Sequence, residues 1–278
     1  MVLSRIGSKK LGKRIEPSLA DSIEKRSLVM KIPTISIAVI AKNEVDRIGY
    51  LLKSVKFADE VVVVDSGSTD GTQDLCRRMG ARVIFHEWAG HVAQKQFALE
   101  SVKNEWILSL DADEMVSEAL IQEILSAVKN ADPNVSGFSM PRLSKYLGRW
   151  IKHGGWYPDR KVRLVRRGRG VWKGLDPHDK LVIDGKIFRL ENPILHHVYR
   201  GVADHVKTIN SFSDIYAAGR APVNSGFVLA GVGHAVIKFL ECYVWKLGIL
   251  DGVPGLIIAM NSSWYVFLKH AKSWERNL

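Results

Sequence analysis

Residues 105–114 read Glu105-Trp106-Ile107-Leu108-Ser109-Leu110-Asp111-Ala112-Asp113-Glu114, an apolar run of strand length that ends in two carboxylates one residue apart. On a strand, side chains two residues apart project to the same side. The pattern therefore predicts that Asp111 and Asp113 leave the carboxyl end of a buried strand together, where ligands bind in open α/β sheets. Two hard oxygen donors placed this way suit Mg²⁺ or Mn²⁺, with diphosphate oxygens completing the shell. A plain strand-end turn followed by an N-cap accounts for the same residues, since Asp and Ser favour both positions.

The sequence upstream weighs between the two. Ile35–Ala41 is a β-branched run of strand length, and Asn43-Glu44 opens a helical pattern with Ile48, Leu51, Leu52 and Val55 on one face. Glu60–Val64 is a second apolar run that ends at Asp65, followed by the Gly- and Ser-rich turn Ser66–Thr72. A third short strand is expected at 82–86, with helices at 73–79, 92–102 and 117–129. Alternating strands and helices of this kind predict a parallel, doubly wound sheet. After Asp132-Pro133 the chain turns Gly-, Trp- and Arg-rich, with short alternating runs at 161–165 and 180–183 that predict an antiparallel extension.

Three strand-end motifs in order, Ala41-Lys42-Asn43-Glu44, Asp65-Ser66-Gly67-Ser68-Thr69-Asp70-Gly71-Thr72 and Asp111-Ala112-Asp113, resemble the family 2 glycosyltransferases over roughly residues 34–200. The resemblance implies a GT-A fold, a Rossmann-like sheet with a nucleotide-diphospho-sugar over the strand ends. It implies that Ala41, Asn43, Glu44, Asp65, Lys95 and Asp111 contact the donor, and that Asp113, with Asp111, holds a divalent metal, Mg²⁺ or Mn²⁺. A wet helix face is the alternative for Lys95. Ala41-Lys42 departs from the family's usual Pro-x-Tyr, so an aromatic contact at position 42 is not carried over. The segments Gly154–Arg160, Trp172-Lys173-Gly174 and Asp176–Leu181 look like the lipopolysaccharide core β-1,4-glucosyltransferase subgroup, as does 247–252.

An inverting displacement needs a carboxylate to take the proton of the acceptor hydroxyl. Asp179 is the first choice and Asp159 the second, with an ion-pair role as the alternative for Asp159. His178 is either a third metal ligand or an orienting partner for Asp179. Charge points the same way. The chain carries 40 Lys+Arg against 29 Asp+Glu, formally +11, and residues 142–173 hold eleven basic residues against the single acid Asp159. Such a stripe implies an anionic partner, for which Trp156, Arg160 and Arg163 are the expected acceptor contacts.

The expected organisation is a basic, poorly ordered tail over 1–33, a glycosyltransferase domain over 34–222 and a helical segment over 223–278. Within the domain, the nucleotide-sugar half is about 34–132 and the acceptor half about 133–222. The tail has no apolar core of a secretory signal, and two widely separated cysteines exclude a disulfide framework. In 223–278, Trp245, Trp264 and Trp274 lie among basic residues, which fits either interfacial helices or packing on the domain or a second subunit.

The expectation is an inverting enzyme that moves glucose from UDP-glucose to a lipopolysaccharide core or other anionic lipid-linked saccharide. It would work in the cytoplasm, peripherally on the inner membrane. A nucleotidyltransferase ranks below it because no glycine follows the first strand until Gly49. A non-enzymatic lipid- or nucleic-acid-binding module is the other rival, and since no groove-reading element accompanies the stripe, no nucleic-acid partner is expected.

Overall fold

A computed structural model describes residues 33–174, 179–221, 223–276 and 278; the basic tail and His178 lie outside the described residues. The chain alternates β1 (Ile35–Ala41), α1 (Ile48–Ser54), β2 (Glu60–Asp65), α2 (Thr72–Arg78), β3 (Arg82–Phe85), α3 (His91–Glu100) and β4 (Trp106–Asp111). β1 to β4 pair in parallel in the order β3-β2-β1-β4. β1, in the middle, is buried on both faces, which is why its sequence is a continuous β-branched run rather than an alternation.

Register decides where the site forms. Ala41 lies opposite Asp65, and Ile40 lies opposite Asp111, so the motifs at the ends of β1, β2 and β4 meet along one edge of the sheet. Beyond Asp111 the chain differs from expectation. The strand ends at Asp111, and Ala112-Asp113 form a tight turn into β5 (Glu114–Val116), which pairs with a distant strand instead of prolonging β4. Asp111 and Asp113 are thus brought together by a reversal of the chain, not by strand periodicity.

α4 (Glu118–Lys129) begins with Ser117, whose Oγ accepts from Leu120 N at 3.3 Å, and buries Leu120, Ile124 and Val128 against the sheet. The antiparallel part follows with β6 (Val135–Tyr146), β7 (Arg149–Trp150), β8 (Asp159–Arg166), β9 (Gly170–Lys173), β10 (Lys180–Ile183), β11 (Lys186–Arg189) and β12 (Ile194–His196). β8 runs antiparallel to both β4 and β6, while β9 and β10 form a separate two-stranded ribbon. The result is a mixed α/β fold with a parallel amino-terminal half.

The carboxyl-terminal region is helical: α5 (Val202–Ala218), α6 (Ser225–Leu240) and α7 (Gly252–Glu275). A π-helical turn, Glu241–Trp245, prolongs α6, and a 3₁₀ turn, Gly248–Asp251, leads into α7. The 21 residues Ser225–Trp245 are long and apolar enough to cross a membrane, with mean hydropathy 1.5. Within this stretch, Lys238 and Glu241 interrupt the apolar run. The tip between α6 and α7 needs glycine: a Cβ on Gly255 would stand 1.9 Å from the carbonyl oxygen of Gly248.

Candidate active site

A cavity of about 970 Å³ lies over the carboxyl ends of β1 and β4, bounded by β8, the β9–β10 ribbon, β12 and α5. Ala41, Glu44, Lys95, Asp111, Asp113, Arg160, Arg163 and Asp179 all line it. Residues 41 to 179 thus converge on one space although the chain separates them widely.

The centre is a chain of charges. Lys95 Nζ lies 2.9 Å from Asp111 Oδ1 and 2.8 Å from Asp179 Oδ2, with Trp172 stacked 4.8 Å away. Its side chain is only 8% exposed, so the wet-face reading of this lysine does not hold. Arg163 Nη2 sits 2.6 Å from the other Asp111 oxygen and 3.1 Å from Glu114, which is fully buried. Glu114 also accepts from Asp111 N at 3.0 Å and so fixes the turn that carries both aspartates. Burial would raise the Asp111 carboxyl, but Arg163 and Lys95 outweigh it and hold the group well below the usual carboxylate range.

Asp113 faces different partners. Its Oδ2 is 3.4 Å from Arg47 Nη1 and 3.5 Å from His196 Nε2, while His196 Nδ1 lies 3.1 Å from Ser144 Oγ. Arg47 grips Glu44 with two hydrogen bonds, of 2.7 and 2.8 Å, and also donates to the His197 carbonyl at 2.9 Å. Arg200 adds a 3.1 Å contact to Glu44 and a fork onto Asp46. For Glu44, burial outweighs these cations and leaves its carboxyl raised.

Other expected residues hold the frame. Asn43, at a φ of 56°, accepts from Thr69 N through its side chain and donates its backbone N–H to Ser68, tying the β1 loop to the β2 loop. Asp65 is fully buried outside the cavity lining. Its carboxylate accepts from Gly67 N, Ser68 N, Ser68 Oγ and Gln73 Nε2 at 2.5–2.9 Å, which is turn chemistry. Asp159 also lies off the lining, bound by Arg142 at 2.8 Å and Lys161 at 3.1 Å. Burial opposes these cations, yet the Asp159 carboxyl stays below its ordinary value.

The basic stripe is largely an internal network. Arg163 is spent on Asp111 and Glu114, Arg142 on Asp159, Arg166 on Glu105 and Arg160 on Glu191. Apart from Asp159, the acids that pair with it (Glu105, Asp111, Glu114 and Glu191) come from other parts of the sequence, which is why the segment looked largely unpaired when read alone. Arg160 nonetheless keeps a place on the cavity wall.

Trp156 is turned away from the cavity into a ring cluster with Tyr146, Tyr199 and His205. His205 Nδ1 lies 3.1 Å from Tyr146 Oη and 2.9 Å from Asn261 Nδ2 of α7, with Tyr199 stacked 4.2 Å above the ring. Burial, only partly offset by Asp204, pushes the imidazole from 6.5 down to about 4. Between those values the unfolded chain binds a proton that the folded chain refuses, so stability is full above about pH 6.5 and falls as pH drops toward 4. His197 is depressed in the same direction, chiefly by burial. The thermal midpoint is expected to fall over this window, and His205→Phe to flatten that slope in scanning calorimetry; an unchanged slope would remove the assignment.

Sequence reasoning missed Arg47, His196 and Arg200. The His196-His197 pair after an apolar strand was a usable signal; the two arginines lay in loops with no pattern to mark them.

A family model for glycosyl transferase family 2 matches residues 36–184. The chain belongs to that family. An uncharacterized glycosyltransferase of Rickettsia bellii is 48% identical over 272 residues, covering 88% of this chain and 87% of its own length. The lipopolysaccharide core biosynthesis glycosyltransferase LpsC of Rhizobium meliloti is 29% identical over 262 residues, or 90% and 95% of the two chains. Among solved structures, the mannosyltransferase PcManGT of Pyrobaculum calidifontis, in complex with GDP-Man and Mn²⁺, is 16% identical. It superposes with a TM-score of 0.50 over 88% of each chain. The fold of this family 2 enzyme is accordingly GT-A, and its activity is glycosyl transfer.

Proposed function

We propose that this glycosyltransferase moves glucose from UDP-glucose, with inversion, to a lipopolysaccharide core or other lipid-linked saccharide, peripherally at the cytoplasmic face of the inner membrane. The observation that carries this reading is the Asp111–Lys95–Asp179 chain, which sets a donor-strand carboxylate and a second carboxylate against one cavity. The name of the Rhizobium meliloti relative supports the acceptor class. Lys42, Lys161 and Lys180 on the cavity wall suit an anionic acceptor.

Asp113 and His196 fit a divalent metal as a carboxylate and an imidazole 3.5 Å apart. Among the described residues no third His, Cys, Asp or Glu joins them, which suits an ion that arrives with a nucleotide diphosphate. The Mn²⁺ in the PcManGT complex supports the same assignment. Such a metal would neutralise charge on the leaving diphosphate. The protein's own part is distinct. Glu44, held by Arg47 and Arg200, borders the nucleotide; Lys95 orients Asp179; and Asp179 takes the acceptor's proton. Asp65 serves the donor by shaping the loop beneath it.

The test is a screen of nucleotide sugars with the purified chain, reading release of free nucleotide with and without a delipidated core oligosaccharide. UDP release from UDP-glucose, stimulated by the oligosaccharide and by Mn²⁺ or Mg²⁺, is expected. Preference for another donor, or release indifferent to the oligosaccharide, would overturn the reading.

A further inference from the structure

The side of α6 that faces away from α7 is apolar along its whole length. Leu229 is 75% exposed, and Val232, Val236, Ile237 and Leu240 continue the stripe at helical spacing. After the first turn, the only polar side chains of this helix are His234, which meets His270, and Lys238, which pairs with Glu241. The stripe leads into a tip where Trp245 is 66% exposed and Leu247, Ile249 and Leu250 also face outward.

Beside Trp245 is a second, smaller cavity of about 350 Å³, lined by Lys152, His153, Tyr157 and Lys246. Arg149 also reaches the tip, donating to the Leu250 carbonyl at 2.8 Å. Two acids are near: Asp251 is buried and takes up the 152–153 backbone and His153, and Glu241 is shared between Lys238 and Lys246. The balance at the tip is positive.

We infer that the outward face of α6 and the Trp245–Leu250 tip dock in the plane of an anionic phospholipid bilayer, with a headgroup phosphate in the basic pocket beside Trp245. This deepens the peripheral-membrane part of the proposed function and rests on that part alone. A typical protein–protein interface carries hydrogen bonds as well as apolar area, and the stripe offers none; hydrocarbon asks for none. Tryptophan beside lysine and arginine at the end of an apolar helix is the composition that favours the lipid interface.

The helix lies along the surface instead of crossing it because its inner side is committed. Gly231 packs so closely on His270 that a Cβ there would stand 2.5 Å from the His270 Cβ and 2.7 Å from its Cγ, and Ser263 Oγ donates to the Ala235 carbonyl at 2.7 Å. α7 is in turn tied to α5 through Asn261–His205 and through Lys272–Asp214 at 2.7 Å. α5 carries Asp204, Thr208 and Phe212 on the wall of the main cavity. Docking through α6 therefore brings the bilayer to the helical side of the active site, from which a lipid-linked acceptor enters.

The test is sedimentation of the full chain with phosphatidylglycerol-containing vesicles and with neutral phosphatidylcholine vesicles. The wild type is expected to bind the former, with Trp245 quenched by brominated lipid and the quench lost in Trp245→Phe. Leu229→Glu/Val236→Glu should weaken partitioning by about 100-fold, the loss of two buried aliphatic side chains. Lys152→Gln/Lys246→Gln should remove the preference for the anionic vesicles while circular dichroism stays unchanged. Wild-type vesicle binding by the α6 variant would overturn the inference and place the anchor elsewhere. So would a solution dimer that the α6 substitutions dissolve without any vesicle binding, which would make the face an interface between copies. UDP release by the same samples reads the donor assignment separately.

Discussion

Asp113→Ala is expected to lower sugar transfer by about a thousandfold or more, since a metal ion at a leaving diphosphate supplies several kcal/mol and each ~1.4 kcal/mol is a factor of ten. The same variant should lose Mn²⁺-dependent UDP binding in calorimetry while keeping its fold. Asp113 is suited to that role by what it lacks. Asp111 has both oxygens taken by cations within 2.9 Å, whereas among the described residues the Asp113 carboxylate has only contacts of 3.4 and 3.5 Å to Arg47 and His196. Its carboxylate is not consumed by the fold and can accept a ligand. His196→Gln should weaken Mn²⁺ binding less than Asp113→Ala does, because a neutral nitrogen contributes less to a hard cation than a carboxylate. Metal-dependent UDP affinity unchanged in Asp113→Ala would defeat the assignment.

The division between these two aspartates shows what sequence can and cannot give. Strand-end motifs at Ala41, Asp65 and Asp111 were legible because buried parallel strands are written as β-branched runs, and because ligands gather at their carboxyl ends. Parallel register then brings the three ends into line without further information. What was not legible is who pairs with whom. Arg163 could be seen as basic, but not that Glu114 and Asp111 would face it from across β4 and β8. Nor could Lys95 be told from an ordinary surface lysine, since its burial comes from Trp172 and Asp179 some eighty residues later. Pairings over such separations follow from tertiary packing, which local pattern does not encode. Trp156 and Asp159 illustrate the converse: residue types suited to an acceptor site that packing has drawn into a ring cluster and an ion pair.

Asp179→Asn is expected to leave UDP-sugar and metal binding close to wild type and to cut transfer by roughly 10² to 10⁴, the range for loss of a general base. Two observations favour Asp179 over Asp159. Asp179 lines the main cavity, and Lys95 holds one of its oxygens at 2.8 Å, so its orientation is fixed relative to Asp111. Asp159 lies off that wall, and Arg142 and Lys161 keep its carboxyl below the ordinary value despite burial, which makes it a weaker proton acceptor than an ordinary carboxylate. Asp159→Asn should therefore cost little turnover. Lys95→Met separates the roles further. It removes the cation between both carboxylates, so donor affinity and turnover should fall together, whereas Asp179→Asn should affect turnover alone. If Asp159→Asn abolishes transfer while Asp179→Asn retains it, the proton leaves through the β8 side of the site, and the Lys95 bridge is an element of donor binding only.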